Sequence, residues 1–134
     1  MGNRPKATES QELPSEHLAP GDVRLYTRFV RTVIRDKLAN GQLTIDRCAA
    51  QLGVSRRKLQ RGLSQQGVTF SSLVTEVRLE TAMELLAEGD KSVANIAHQL
   101  GYANAASFAR AFRRSRGVTP SDFRQDFQQT YDSP

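Results

Sequence analysis

The sequence lacks the features of a disulfide-rich, secreted or membrane protein. Its 134 residues include one cysteine and no tryptophan, so an internal disulfide framework is excluded. No apolar run approaches the roughly 20 residues that cross a bilayer, and we find no signal peptide. With 38% hydrophobic and 25% charged residues, the composition is typical of a soluble globular protein. We therefore expect a cytoplasmic location.

The sequence also lacks the groups that catalysis or metal binding needs. No nucleophile has a base at a recognisable spacing, and no glycine loop has the pattern that holds phosphates. His17 and His98 have no neighbours at metal-ligand spacing. We therefore expect no enzyme, no metal and no cofactor.

Acidic residues are absent from two long windows. Between Asp46 and Glu76, and again between Asp90 and Asp122, there is no carboxylate. Ten of the nineteen lysines and arginines lie in these windows: Arg47, Arg56, Arg57, Lys58, Arg61, Lys91, Arg110, Arg113, Arg114 and Arg116. Although the net charge is only +5, these two windows are strongly positive. We expect their cations to have no acidic partner and to face a polyanion. The alternative, a solvated basic face, would normally intersperse acids.

The strongest pattern that is present is an internal repeat. Residues 44–53, TIDRCAAQLG, return 48 residues later as residues 92–101, SVANIAHQLG. A basic segment and then a Gly-Val-Thr tripeptide follow each copy. A short helix, a glycine turn and a cationic helix form a helix-turn-helix unit, so the repeat predicts two DNA-binding units. Cys48 takes the place of Ile96 in this repeat, which favours a buried thiol over a redox switch.

Periodicity and capping residues predict helices along most of the chain. Candidate caps or starts are Asp22, Thr44, Ser55, Ser92, Asn104 and Thr119. Gly53 and Gly101 are expected to form the turns, Asn40-Gly41 to end the first helix, and Phe127 to lie near the end of the last one. Gly62 is anomalous, because glycine inside a helix costs about 1 kcal/mol relative to alanine. Close packing of helices is the only reason that we find for it.

A long helix is predicted from about Phe70 to Glu88, and its apolar residues occupy two sides. Leu73, Val74 and Val77 face one way, whereas Leu79, Ala82, Met83 and Leu86 face roughly the other. One helix would thus serve two cores. Its length of about 28 Å is close to the roughly 34 Å between successive major grooves on one face of B-DNA. We therefore expect two recognition helices in adjacent grooves of one site.

These predictions divide the chain into five segments. They are a tail or interdomain linker at 1–20, a first helix-turn-helix subdomain at 21–69, the linking helix at 70–88, a second subdomain at 89–128 and a C-terminal tail at 129–134. The first segment is rich in proline and polar residues, so we expect it to be disordered.

The motifs resemble the DNA-binding domain of AraC/XylS-type bacterial transcription regulators. The resemblance covers about residues 22–127 and rests on 49–61, 78–86, 96–102, 108–112 and 117–124. It implies an all-α, homeodomain-like fold of seven helices, in which a long helix joins two helix-turn-helix units. It also implies binding to double-stranded promoter DNA and, usually, activation of transcription. Most members carry an effector-sensing domain before this one. We therefore expect a fragment that lacks its sensor domain, in preference to a stand-alone member.

Carried onto the first unit, the family's base-reading positions fall on Arg57, Gln60 and Arg61. Arginine can pair with guanine O6 and N7, and glutamine with adenine N6 and N7. Ser55, Arg56 and Lys58 are placed for phosphate or groove-edge contacts. An ordinary solvated residue is the alternative for Gln60.

The second unit departs from the family pattern because small residues fill most of the reading positions. Ser107 and Arg110 remain as base-reading candidates, and the backbone or groove-edge candidates are Asn104, Ala105, Ala106, Arg113 and Arg114. Small side chains cannot make bidentate base contacts, so we expect a close approach that touches thymine methyl groups. Sequence specificity would then reside mostly in the first unit.

Charged residues also repeat every three or four positions on two helices. Glu76, Glu80, Glu84 and Glu88 lie along the linking helix, and Arg24, Arg28, Arg31 and Arg35 along the first helix. Two solvated faces are the simpler interpretation. The sharper hypothesis is that the glutamates contact RNA polymerase or the missing sensor domain, while some of the arginines reach phosphates.

Two other function classes remain open at this point. A sequence-independent architectural DNA binder would use the same basic helices without reading bases. A helical adaptor would use them to bind an acidic protein.

Overall fold

The structure, a computed structural model, describes residues 23–132. Within this range there are seven α-helices and no strand: α1 (Val23–Ala39), α2 (Ile45–Leu52), α3 (Arg56–Gln65), α4 (Phe70–Glu88), α5 (Val93–Gln99), α6 (Ala105–Arg116) and α7 (Pro120–Asp132). The predicted all-α class is confirmed. No described helix combines the length and apolarity that crossing a membrane requires.

The helices begin and end where the capping residues predict, with one exception. Helix α7 continues to Asp132, so the predicted end near Phe127 is wrong, and residues expected in a C-terminal tail are helical. Tyr131 continues the four-residue spacing of Phe123 and Phe127, so the longer helix agrees with the apolar pattern. The predicted cap at Asp22 and the predicted tail at 1–20 lie outside the described residues.

Side-chain caps start the helices of both repeats. Thr44, Ser55, Ser92 and Asn104 have extended backbones and accept hydrogen bonds from the N–H groups three residues later, over 3.1, 3.0, 3.0 and 2.8 Å. Such a cap stabilises a helix by about 1 kcal/mol relative to alanine.

The glycine turns repeat in the same detail as the sequence. Gly53 and Gly101 have φ angles of 77° and 87°, a left-handed conformation that disfavours any Cβ. After each glycine, the next N–H bonds back to a carbonyl of the preceding helix, from Val54 to Ala49 and from Tyr102 to Ala97, both over 3.0 Å. The two copies of the repeated sequence therefore form the same hydrogen bonds at their turns.

The described residues fall into two compact units, divided between Val77 and Arg78 within α4. The first unit has a core of α1 to α4, with Tyr26, Val30, Val33, Ile34, Cys48, Leu52, Leu59, Leu63, Leu73 and Val77 buried. Phe29 of α1 is only half-buried. Gly62 lies under Tyr26: a Cβ on Gly62 would be 1.8 Å from the Tyr26 hydroxyl oxygen. Close packing therefore accounts for this glycine.

The second unit is built on a row of aromatic rings. Adjacent centroids are 5.3 Å apart for Tyr102 and Phe108, 5.8 Å for Phe108 and Phe112, and 5.7 Å for Phe112 and Phe123. The guanidinium of Arg78 lies 5.2 Å from the centroid of Tyr102, within range of a cation–π interaction. Burial raises the pKa of the Tyr102 phenol, against an opposing effect of Arg78.

Candidate nucleic-acid interface

Helix α3 presents the three predicted base-reading residues on one exposed face. Arg57, Gln60 and Arg61 are all exposed and spaced by three and four residues, so their side chains leave the helix in similar directions. The opposite side of α3, formed by Leu59, Gly62 and Leu63, is buried in the first unit. Burial of that side fixes the direction of the exposed one. We call Arg57, Gln60 and Arg61 the α3 face.

The N-terminal end of α3 is suited to hold an anion. The Ser55 side chain accepts a hydrogen bond from the Lys58 N–H group over 3.0 Å, and its own O–H group remains able to donate. Lys58 is exposed nearby, and the first turn of the helix contains no acidic residue. Helix N-termini favour negative charge because their first N–H groups lack intrahelical acceptors.

Arg56 is paired with a carboxylate of the preceding helix. Its Nε and one terminal nitrogen donate to Oδ1 and Oδ2 of Asp46 over 2.9 and 3.0 Å. Hydrogen bonding to Arg56 lowers the pKa of Asp46, and the same bonds raise the pKa of Arg56. The expectation that all cations of the window are unopposed is therefore wrong for Arg56. The partners are ten positions apart and lie on either side of the α2–α3 turn, so periodicity within one helix does not predict the pair.

Helix α6 exposes a face with one small residue among arginines. Ala106, Arg110, Arg113 and Arg114 are exposed, and Phe108 and Phe112 anchor the other side in the core of the second unit. The structure therefore brings four of the predicted contact residues of this unit together. We call these four residues the α6 face.

The other predicted residues of α6 border this face. Ala105 and Ser107 are half-buried, and the Ser107 hydroxyl accepts from a terminal nitrogen of Arg110 over 3.4 Å. Asn104 is exposed and caps the helix through its side-chain oxygen. Arg116 turns away toward α4, where its Nε lies 3.1 Å from the sulfur of Met83. It therefore does not extend the α6 face.

The four glutamates of α4 do not form a uniform set. Glu76 is engaged by a terminal nitrogen of Arg31, a contact that joins α4 to α1 in the first unit. Glu84 and Glu88 are exposed and Glu80 is half-buried. Among the arginines of α1, Arg28 and Arg35 are exposed, while the side chain of Arg24 lies outside the described residues. Glu76 is also exposed, so the role of these four glutamates in binding a partner stays a prediction.

A groove of about 410 Å³ lies beside Gln60 and has no counterpart in the sequence-based predictions. It is lined by Ile45, Gln60, Ser64, Val68, Thr69, Phe70 and Ser71. These residues come from α2, α3, the segment between α3 and α4, and the start of α4, and folding brings Ile45 of α2 beside the others. Periodicity within one helix cannot reveal such a site.

Cys48 of α2 is fully buried, as the repeat predicted. Burial raises the pKa of its thiol to about 11. The charge of Lys37 lowers this pKa and that of Asp36 raises it. A thiol in this environment packs as a small apolar group.

Comparison with known proteins places this arrangement among DNA-binding regulators. A protein-family model described as a helix-turn-helix domain matches residues 48–126. The transcriptional activator RhrA of Rhizobium meliloti is 37% identical over 98 residues, which are 72% of this chain and 31% of that protein. The chain thus spans about a third of the length of this curated relative.

Solved structures show the same fold over nearly their whole length. A DNA-binding transcriptional dual regulator from Escherichia coli K-12 is 30% identical with a TM-score of 0.70, over 86% of this chain and 99% of that chain. A regulator from Chromobacterium violaceum, described as having an AraC-type DNA-binding domain, is 27% identical with a TM-score of 0.68, over 79% and 96% of the two chains.

Proposed function

Because the chain belongs to the AraC-type family of helix-turn-helix, DNA-binding transcription regulators, we propose that it binds promoter DNA sequence-specifically and activates transcription. The observation that carries this proposal is the pair of exposed faces on α3 and α6, each on a capped helix behind a glycine turn. The name of RhrA as an activator supports the direction of regulation. The cytoplasm, in association with the nucleoid, is the corresponding location.

In this proposal the α3 face reads bases. The two arginines of the face carry donors for guanine O6 and N7, and Gln60 carries a donor and an acceptor for adenine. Ser55 and Lys58 hold phosphates at the N-terminal end of the helix. Arg56 reaches the groove edge while its guanidinium is shared with Asp46, because three of its five N–H donors remain for another acceptor.

The α6 face contributes mainly to anchoring. Arg110 is its long reader, with Ser107 bonded beside it, and Ala106 is small enough to meet a thymine methyl group. Arg113 and Arg114 bind phosphates, as does the amide group of Asn104. Ala105 is half-buried and therefore offers less contact area than Ala106.

The two faces enter adjacent major grooves in this proposal. Helix α4 has 19 residues and hence a length of about 28 Å, compared with roughly 34 Å between successive grooves on one side of B-DNA. One chain would then occupy a site that simpler helix-turn-helix proteins occupy as dimers. An effector-sensing domain in the parent protein and contact with RNA polymerase complete the proposal.

Titration with duplex DNA tests the proposal against its two alternatives. A duplex selected from a random library and a scrambled duplex of equal length are titrated at two salt concentrations. Sequence-specific regulation predicts a preference of about 10³ or more for the selected duplex. Near-equal affinities with the same salt dependence would instead indicate an architectural binder. No duplex binding at all would favour the adaptor for an acidic protein.

A further inference from the structure

The groove beside Gln60 has an apolar floor and a neutral polar rim. Ile45, Val68 and Phe70 form the floor and are half-buried. Gln60, Ser64, Thr69 and Ser71 form the rim and are exposed. A volume of about 410 Å³ lies within the range of small-molecule pockets.

The lining favours an uncharged occupant. None of the seven lining residues is ionisable, although exposed cations occupy the adjoining α3 face. A phosphate or carboxylate would therefore find its counter-charges outside the groove, and a DNA strand would have no cation within it to pair with. The rim instead offers an amide and three hydroxyl groups, which both donate and accept hydrogen bonds.

The start of α4 adds donors for a carbonyl oxygen. Thr69 caps this helix by accepting from the Ser72 N–H group over 3.0 Å, and its carbonyl accepts from the Leu73 N–H group over 3.1 Å. The N–H groups of Phe70 and Ser71 lie just before those of Ser72 and Leu73. At these first positions a helix supplies no intrahelical acceptor, so both N–H groups can donate to a ligand. The Phe70 ring in the floor suits a second flat ring.

We propose that this groove binds an uncharged, ring-containing amide and that the occupied groove excludes duplex DNA from α3. The ring packs on Ile45, Val68 and Phe70, and the amide oxygen accepts from the rim. Exclusion follows because Gln60 is both a wall of the groove and a member of the α3 face. This second half rests on the proposed DNA-binding function, whereas the first half does not.

Benzamide serves as the probe, and its binding is measured first without DNA. Two-dimensional NMR of the 15N-labelled chain should show saturable shift changes at the amides of Gln60, Ser64, Val68 and Phe70, with a Kd of about 1 mM for so small a ligand. Benzoate, which has the same ring but a negative charge, should bind more weakly, because no lining residue supplies a full positive charge to offset the desolvation of its carboxylate. Saturable changes elsewhere only, or tighter binding of benzoate, would overturn the proposed site.

A matched pair of variants locates the effect. Ser71→Leu fills the rim at the second position of α4 and should abolish the benzamide response. Ser121→Leu makes the same change at the second position of α7, which is exposed in the second unit, and should leave the response intact. Equal responses of the two variants would contradict the assignment of the groove.

Competition is then measured with a fluorescent selected duplex. Benzamide at ten times its Kd should raise the apparent Kd for DNA about tenfold in the original chain and leave it unchanged in Ser71→Leu. Simultaneous binding of both ligands would overturn the exclusion. A chain that binds benzamide but no duplex would refute the proposed function and leave the ligand site standing.

Discussion

The hydroxyl oxygen of Tyr26 occupies the space that a side chain at residue 62 would need, so only glycine fits there. A Cβ on Gly62 would lie 1.8 Å from that oxygen and 2.6 Å from the ring carbon that carries it. The contact fixes α1 against the helix that bears Arg57, Gln60 and Arg61. It ties the stability of the first unit to the placement of its α3 face.

Gly62→Ala should destabilise the first unit although it improves helix propensity. The propensity gain is about 1 kcal/mol, whereas overpacking costs about 1 to 3 kcal/mol and here displaces a buried ring. Because the substitution lies in the first unit, hydrogen exchange of the amides of that unit is the suitable measurement. Tyr26→Phe in the same chain removes the hydroxyl group and should restore part of the lost stability. The rescue should be incomplete, because the ring carbon at 2.6 Å remains. A fully stable single variant would contradict this account of the packing.

The Cys48 thiol should be unreactive in the folded chain. With a pKa of about 11, roughly one thiol in a thousand is ionised at pH 8, and the thiolate is the reacting form. A chromogenic disulfide reagent should therefore label Cys48 slowly in buffer and rapidly in denaturant. Rapid labelling of the native chain would show that the thiol is accessible after all.

The same thiol should make stability depend on alkaline pH. Its pKa is raised above the ordinary 9.0 in the folded chain, so its contribution is complete below pH 9 and is lost as the pH rises to about 11. The unfolding free energy should fall over this window. Cys48→Val, which has an aliphatic side chain as Ile96 does in the second repeat, should show a smaller fall, and an identical pH profile would refute the effect.

Asp46→Asn should strengthen binding to every duplex. The substitution removes the counter-charge of Arg56, so one more cation is available to displace counterions from DNA. The slope of log affinity against log salt should then steepen by up to about 0.9. Asp122→Asn, an exposed carboxylate in the second unit, is the matched control for net charge. Weaker binding of Asp46→Asn would indicate that the pair is needed to orient Arg56.

Arg61→Ala should reduce the sequence preference of DNA binding, whereas Arg113→Ala should reduce affinity for all duplexes. Loss of a base-reading arginine costs about 1 to 3 kcal/mol on the selected duplex and relaxes the preference at one base pair. Loss of a phosphate contact weakens selected and scrambled duplexes alike. Titration of both duplexes with both variants makes the distinction. Equal losses for Arg61→Ala on the two duplexes would refute its role as a reader.

Reversing the charge of Glu80 and Glu84 together should reduce promoter activation and leave duplex affinity unchanged. Glu76 is excluded from this test because it binds Arg31. Promoter-driven reporter expression and duplex titration are measured in parallel, with Asp90→Lys as the control outside α4. Circular dichroism verifies that the half-buried position of Glu80 tolerates lysine. A parallel fall in affinity would contradict a contact with RNA polymerase.

The sequence was sufficient for the helices but not for the pairs between them. Thr44, Ser55, Ser92 and Asn104 act through N–H groups three residues away, so a linear pattern reveals them. The α3 face is predictable for the same reason, since residues spaced by three and four share a direction. The Asp46–Arg56 pair and the groove beside Gln60 join residues from different helices. Their geometry depends on how the helices pack, which local spacing does not specify.

Arg124 of α7 completes the second unit by bonding to two carbonyl groups far back in the chain. Its Nε donates to the Leu86 carbonyl over 3.1 Å, at the end of α4, and a terminal nitrogen donates to the Lys91 carbonyl. During synthesis these carbonyls emerge more than thirty residues before their donor. The first unit ends before either of these carbonyl groups, at Val77. We therefore expect a nascent chain to fold its first unit before Arg124 has been synthesised. The two copies of the repeated motif would then fold one after the other.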